Sequence, residues 1–89
     1  MNNNYNEIND FLDEIVETFN KFLIMKVLKE EINVFKELID RLSEIFEFKM
    51  NKYLNKNSLD YNLNKKYEYA VKLEKEVKCK YEISFCNTI

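Results

Sequence analysis

The sequence predicts an α+β fold, in which two N-terminal amphipathic helices pack on a C-terminal three-stranded antiparallel β-meander. Two patterns support this prediction. Apolar residues recur at helical spacing through residues 5–55, and they alternate with polar residues through residues 58–86, as in half-buried strands. The chain has 89 residues, so we expect a single domain over residues 1–89.

The helical half carries two apolar stripes whose registers do not join. The first stripe consists of Ile8, Leu12, Ile15, Phe19 and Phe22. The second stripe consists of Leu28, Ile32, Phe35, Ile39, Leu42, Phe46, Met50 and Tyr53. The slip between them favours a turn within residues 26–33 and two helices of about twenty residues, because globular helices rarely exceed 25. No Gly or Pro marks the place, so one continuous helix also fits residues 20–35.

The predicted strands are defined by apolar residues that all occupy odd positions. They are Leu59, Tyr61, Leu63, Tyr67, Tyr69, Val71, Leu73, Val77, Cys79, Tyr81, Ile83 and Phe85. Tyr, Val, Ile and Phe suit a pleated surface. The first hairpin loop would have three residues, and the second would have three or five, so its register stays open.

A helix is the competing interpretation of the same segment. Its stripe would run through Leu63, Tyr67, Ala70, Glu74, Val77 and Tyr81. We favour strands because that stripe places Glu74 on the buried face and leaves Leu73 and Ile83 off it. If the segment is helical, the alternative fold is an all-α helical hairpin or a coiled-coil dimer.

Composition argues against an enzyme and against a bound cofactor or metal. The chain contains no His and no Gly. It therefore lacks the commonest general base and any phosphate-cradling glycine loop. Its two cysteines cannot form an ordinary zinc site without carboxylates or a second chain.

The cysteines and the apolar runs favour a cytoplasmic protein. Cys79 and Cys86 are seven residues apart, which is too far for a disulfide in a strand or a helix. We expect Cys79 to be buried, and the role of Cys86 stays open. The longest apolar run covers residues 22–25, so no membrane span is predicted, and residues 1–7 do not resemble a signal peptide.

Charge is distributed unevenly, and acidic residues repeat along the helical half. Residues 1–48 carry 5 basic and 11 acidic side chains, whereas residues 49–89 carry 9 basic and 5 acidic ones. Six of the eleven residues in 7–17 are identical in 37–47. The repeat contains two acidic sets with the same spacing: Glu7, Asp10, Glu14, Glu17 and Glu37, Asp40, Glu44, Glu47. Each set forms one side of its helix, either as a solvated face or as a contact for a basic partner.

We therefore hypothesise a small protein-binding module that regulates or inhibits a larger partner through these acidic faces. The hypothesis extends to a phage or mobile-element inhibitor of a nucleic-acid-processing or defence complex. A structural homodimer formed through the amphipathic helices is the alternative. A winged-helix-like nucleic-acid binder ranks third, because the net charge is −2 and the single Arg lies in the acidic half.

Overall fold

The fold is all-α in the part of the chain that the computed structural model describes, which is residues 3–83, with side chains from residue 5. Helix α1 spans Asn3–Ile24, and a 3₁₀ turn at Lys29–Glu31 leads into α2. Helix α2 spans Ile32–Leu54, and α3 spans Tyr61–Lys80. Residues 3–83 contain no strand, so the predicted α+β class and β-meander are wrong. The predictions for Phe85 and Cys86 concern residues outside the described range.

Helix α3 replaces the three predicted strands, and its local signals are helical. The Asp60 carboxylate accepts a hydrogen bond from the Leu63 backbone N–H at 2.8 Å, which caps the first turn. Glu precedes Lys by four residues at Glu68, Glu74 and Glu76, the favourable order for helical ion pairs. The segment also lacks the glycine that a tight hairpin turn prefers.

The alternation was misleading because only some of the odd positions are buried. Leu63, Leu73 and Val77 lie in the core, but Tyr61 and Tyr69 are exposed. Cys79, expected in the core, is an exposed free thiol. Buried Ala70 and Glu74 occupy even positions and complete a helical face with the buried odd ones. The winged-helix comparison also fails, since residues 3–83 form no hairpin.

The chain turns between α1 and α2, as the slip between the two stripes predicts. No glycine ends α1; instead, a side chain from the far end of α3 satisfies its last carbonyls. The Lys80 ammonium donates to the carbonyl oxygens of Phe22, Leu23 and Met25 at 2.7–2.8 Å. The Tyr81 hydroxyl also donates to the Phe22 carbonyl, at 2.9 Å. Because cations are favourable at helix C-termini, this contact stabilises the end of α1. Lys80 is 55–58 residues from these carbonyl groups in the sequence.

Helices α1 and α3 form the most closely packed pair, and α2 joins them through large aromatic side chains. Ala70 is fully buried on α3, and its small side chain suits a close helix approach. Lys66 of α3 pairs with Asp13 of α1 at 2.8 Å. From α2, the buried Phe46 ring contacts Phe11 and Phe19 of α1 at centroid distances of 6.5 and 6.0 Å. Phe46 is therefore the main anchor of α2.

None of the helices within residues 3–83 combines the length and the apolar character that a membrane crossing requires. The core of the described residues consists of Ile8, Leu12, Ile15, Phe19, Ile39, Phe46, Met50, Leu63, Ala70, Leu73, Val77, Tyr81 and Ile83.

Candidate protein-binding face

The outer side of α2 exposes a second row of apolar residues that the core does not use. We call this row, formed by Val34, Leu38, Ile45 and Phe48, the outer stripe. Spacings of four, seven and three residues place all four on one side of the helix. Ile45 is 55% exposed and Phe48 is 71% exposed. Single exposed apolar residues are ordinary, but an aligned row of them is typical of a binding surface.

Charged residues surround the outer stripe unevenly. Arg41 lies in line with it, between Leu38 and Ile45, and is exposed. Glu37, Asp40 and Glu44 follow one flank of the stripe, and all three are exposed. An apolar centre with a charged rim is the usual anatomy of a protein interface.

The eight acidic residues predicted as partner contacts are all exposed. Four lie on α1 and four on α2, and within residues 5–83 no hydrogen bond or ion pair links the two sets. The structure therefore presents two separate acidic faces. Only the α2 set adjoins an exposed apolar row, because the corresponding apolar residues of α1 are buried.

Glu47 differs from the other seven because it belongs to a polar cluster at the seam between α2 and α3. The Ser43 hydroxyl donates to Glu74 Oε2 and lies 3.4 Å from Glu47 Oε2. Lys78 Nζ is 4.0 Å from Glu74 Oε2. Ser43 and Glu74 are the two buried polar residues of the described core.

The pKa of Glu74 is raised above its ordinary value, chiefly because burial penalises the charged carboxylate. Glu47 raises it further, whereas Ser43 and Lys78 act in the opposite direction. A protonated Glu74 can donate to Glu47, which an ionised one cannot. The carboxyl lines a cavity of about 320 Å³ beside Phe46. The Ser43–Glu74 hydrogen bond thus links α2 to α3. The burial of Glu74, which argues against a helix in the sequence, is accommodated by this cluster.

Sequence reasoning missed the outer stripe because it assigned one apolar row to each helix. The missed signal is the seven-residue spacing between Leu38 and Ile45, with Val34 and Phe48 completing a second row beside the first. Two rows on one helix indicate two contacts, and the three-helix core supplies only one of them.

The described side chains do not form a metal centre: within residues 5–83, no three Asp, Glu or Cys residues converge closely enough to hold an ion.

The described part of the chain forms three helices, and the outer stripe of α2 is an apolar face that no other described helix covers. No family model, curated protein or solved structure matches the chain.

Proposed function

We propose that the protein is a small, non-enzymatic protein-binding module that regulates or inhibits a larger partner, and that α2 makes the contact. One observation carries this proposal: Ile45 is 55% exposed, although Ile15, its counterpart in the sequence repeat, is 3% exposed. The repeat therefore provides α2 with core-type residues that no other described helix covers. Covering them with a partner removes apolar surface from water, which favours association.

The partner's chemistry follows from what surrounds the stripe. Phe48 and Ile45 suit an apolar groove, since amphipathic helices bind partners by laying such a face into one. Glu37, Asp40 and Glu44 call for Lys or Arg along one rim of that groove. An enzyme that handles nucleic acid has such a basic surface, so we extend the proposal to an inhibitor of a phage-related or defence complex. The carboxylates would lie where phosphates otherwise bind.

The proposal includes a cytoplasmic location. Cys79 carries an exposed thiol without a disulfide partner among the described residues. Such a thiol fits a reducing compartment.

The test begins with capture of partners from the source cells and continues with purified proteins. A captured protein counts only if it binds the purified module directly, with a defined stoichiometry and a defined affinity. Three variants are compared with the wild type: Phe48→Asp, the triple change Glu37→Lys, Asp40→Lys and Glu44→Lys, and the control Tyr69→Ser. Tyr69 is an exposed aromatic residue on α3, away from the stripe.

We expect Phe48→Asp to weaken direct binding by at least about tenfold, because it would place an unpaired carboxylate in an apolar contact. The triple reversal should weaken binding most at low salt, and Tyr69→Ser should leave it unchanged. Binding that tolerates Phe48→Asp would refute the assignment of α2. If a reversal of Asp10, Glu14 and Glu17 on α1 abolishes binding instead, the contact lies on the other acidic face.

A second copy of this chain is the alternative occupant. Arg41 lies in line with the outer stripe, next to the flank that carries Glu37 and Glu44, so two antiparallel α2 helices could place each Arg beside the partner's carboxylates. Light scattering would then report twice the monomer mass, and Ile45→Asp would restore the monomer. Leu42 is a poor target for this purpose, because it packs against the core.

A further inference from the structure

A cavity of about 310 Å³ opens between the first turns of α1 and the last turns of α2, and no residue of the outer stripe lines it. Glu7 and Ile8 of α1 form one wall. The other wall consists of Lys49, Lys52 and Tyr53 of α2, with Lys56 and Asn57 just after the end of that helix. Its volume is at the lower end of the range for small-molecule sites.

The three lysines are Lys49, Lys52 and Lys56, and all are exposed. Lys49 and Lys52 are three residues apart on one side of α2, and Lys56 lies in the turn that follows the helix. The Lys49 ammonium lies 5.1 Å from the centroid of the Phe11 ring, a cation–π contact that orients the side chain but does not neutralise its charge. Within residues 5–83, neither the Lys52 ammonium nor the Lys56 ammonium forms a hydrogen bond or an ion pair.

Two other lysines form defined contacts with α1. Lys66 pairs with Asp13, and Lys80 is bound to the carbonyls that end α1. At the cavity, one carboxylate, that of Glu7, faces three ammonium groups. The cavity therefore carries a local positive charge on a chain whose formal net charge is −2.

We infer that this cavity binds a small anion that carries phosphate groups. Lysine ammonium groups are effective point-charge partners for phosphate oxygens. The three lysines would contact the phosphates, and the half-buried Tyr53 ring with Ile8 would contact an organic part of the ligand. Since this inference uses none of the outer stripe, it stands or falls separately from the proposed protein contact.

Inorganic pyrophosphate is the first probe, with inorganic phosphate as the weaker comparison. Binding is followed by amide chemical shifts in NMR titrations, at low and at physiological ionic strength. The test variant is Lys52→Ala with Lys56→Ala. The matched control is Lys26→Ala with Lys29→Ala, which removes the same charge from the opposite end of α2.

We expect pyrophosphate to shift the amides of residues 49–57 and of residues 7 and 8. The test variant should lose about fivefold or more in affinity, from two exposed charge pairs of roughly 0.5 kcal/mol each. The control variant should bind like the wild type. Glu7→Ala should tighten binding, whereas Glu14→Ala, an equal charge change further along α1, should have a smaller effect.

Two results would overturn the inference. One is an equal loss of affinity in the test and control variants, which would indicate attraction to net charge alone. The other is a response to a single-stranded oligonucleotide with no response to pyrophosphate, which would indicate an extended surface instead of a cavity.

Discussion

The two copies of the sequence repeat have different environments. Residues 7–17 and 37–47 share six identities, among them Leu12 with Leu42 and Ile15 with Ile45. In α1, Leu12 and Ile15 are both buried. In α2, Leu42 is half-buried and Ile45 is exposed. The isoleucine at the same point of the repeat is therefore part of the core in α1 and part of the surface in α2.

The difference arises from how each helix meets α3. Helix α1 packs directly against α3, and the apolar residues of its repeat, Leu12 and Ile15, are buried. Helix α2 is oriented by Phe46, whose ring contacts α1 and also Tyr67 of α3, at a centroid distance of 6.0 Å. Since Phe46 and Ile45 are neighbours about 100° apart around the helix, burying Phe46 leaves Ile45 at the side. An apolar residue left over in this way is available to a partner.

The sharpest test of this comparison places the same substitution in both copies. Ile15→Asp should unfold the protein or cost more than about 4 kcal/mol, because it buries an unpaired charge. Ile45→Asp should change the free energy of unfolding by less than about 0.5 kcal/mol, because the site is exposed. Urea denaturation followed by circular dichroism measures both. Similar losses in the two variants would show that Ile45 is covered.

A second test compares two phenylalanines of α2 that are two residues apart. Phe46→Ala should cost about 3–4 kcal/mol, since it removes the aromatic anchor of α2 from the core. Phe48→Ala should cost less than about 0.5 kcal/mol. Thermal unfolding of the two proteins under identical conditions gives the comparison. Equal melting temperatures would contradict the assigned orientation of α2.

A third test concerns the contact between Lys80 and the end of α1, a type of lysine contact that the end of α2 lacks within the described residues. Lys80→Ala removes three charged hydrogen bonds to backbone carbonyls and should cost about 1–2 kcal/mol. Amide hydrogen exchange should then increase in the last turn of α1. Lys72→Ala, at an exposed position of α3, is the control, and no loss beyond that of the control would show that α1 ends without this contact.

The smallest expected effect is pH-dependent and lies at the seam between α2 and α3. The raised pKa of Glu74 means that the folded state holds its proton more tightly than the unfolded state. The stability from protonated Glu74 is complete below the unfolded pKa and is lost as pH rises through the folded pKa. Glu74→Gln should therefore gain stability over the wild type as pH increases, because glutamine stays neutral.

The check for that variant is urea denaturation at a series of pH values. Glu76→Gln, at an exposed site two residues further along α3, is the matched control and should show a smaller pH-dependent difference. A Glu74→Gln protein whose stability runs parallel to the wild type at every pH would contradict the assigned proton affinity.

Much of the helical half could be predicted from the sequence. The two stripes identify α1 and α2, and the buried Leu12, Phe19 and Phe46 belong to them. The predicted acidic residues are exposed as expected of charged groups. The sequence also contains signals for helix α3, namely the Asp60 cap and the three Glu–Lys spacings. The alternation of tyrosines and aliphatic residues favours strands more strongly than these signals favour a helix. Alternation alone is weak evidence where both periods fit.

The sequence by itself determined that the chain has amphipathic helices, a core and acidic faces, because these depend on local spacing and on the cost of burying charge. Tertiary structure alone decided two things. The first is the contact between Lys80 and the last carbonyl groups of α1. The second is which of the two apolar rows of α2 is buried. Both depend on contacts between residues far apart in the chain, and a pattern read along one helix holds no information about which neighbour will cover it.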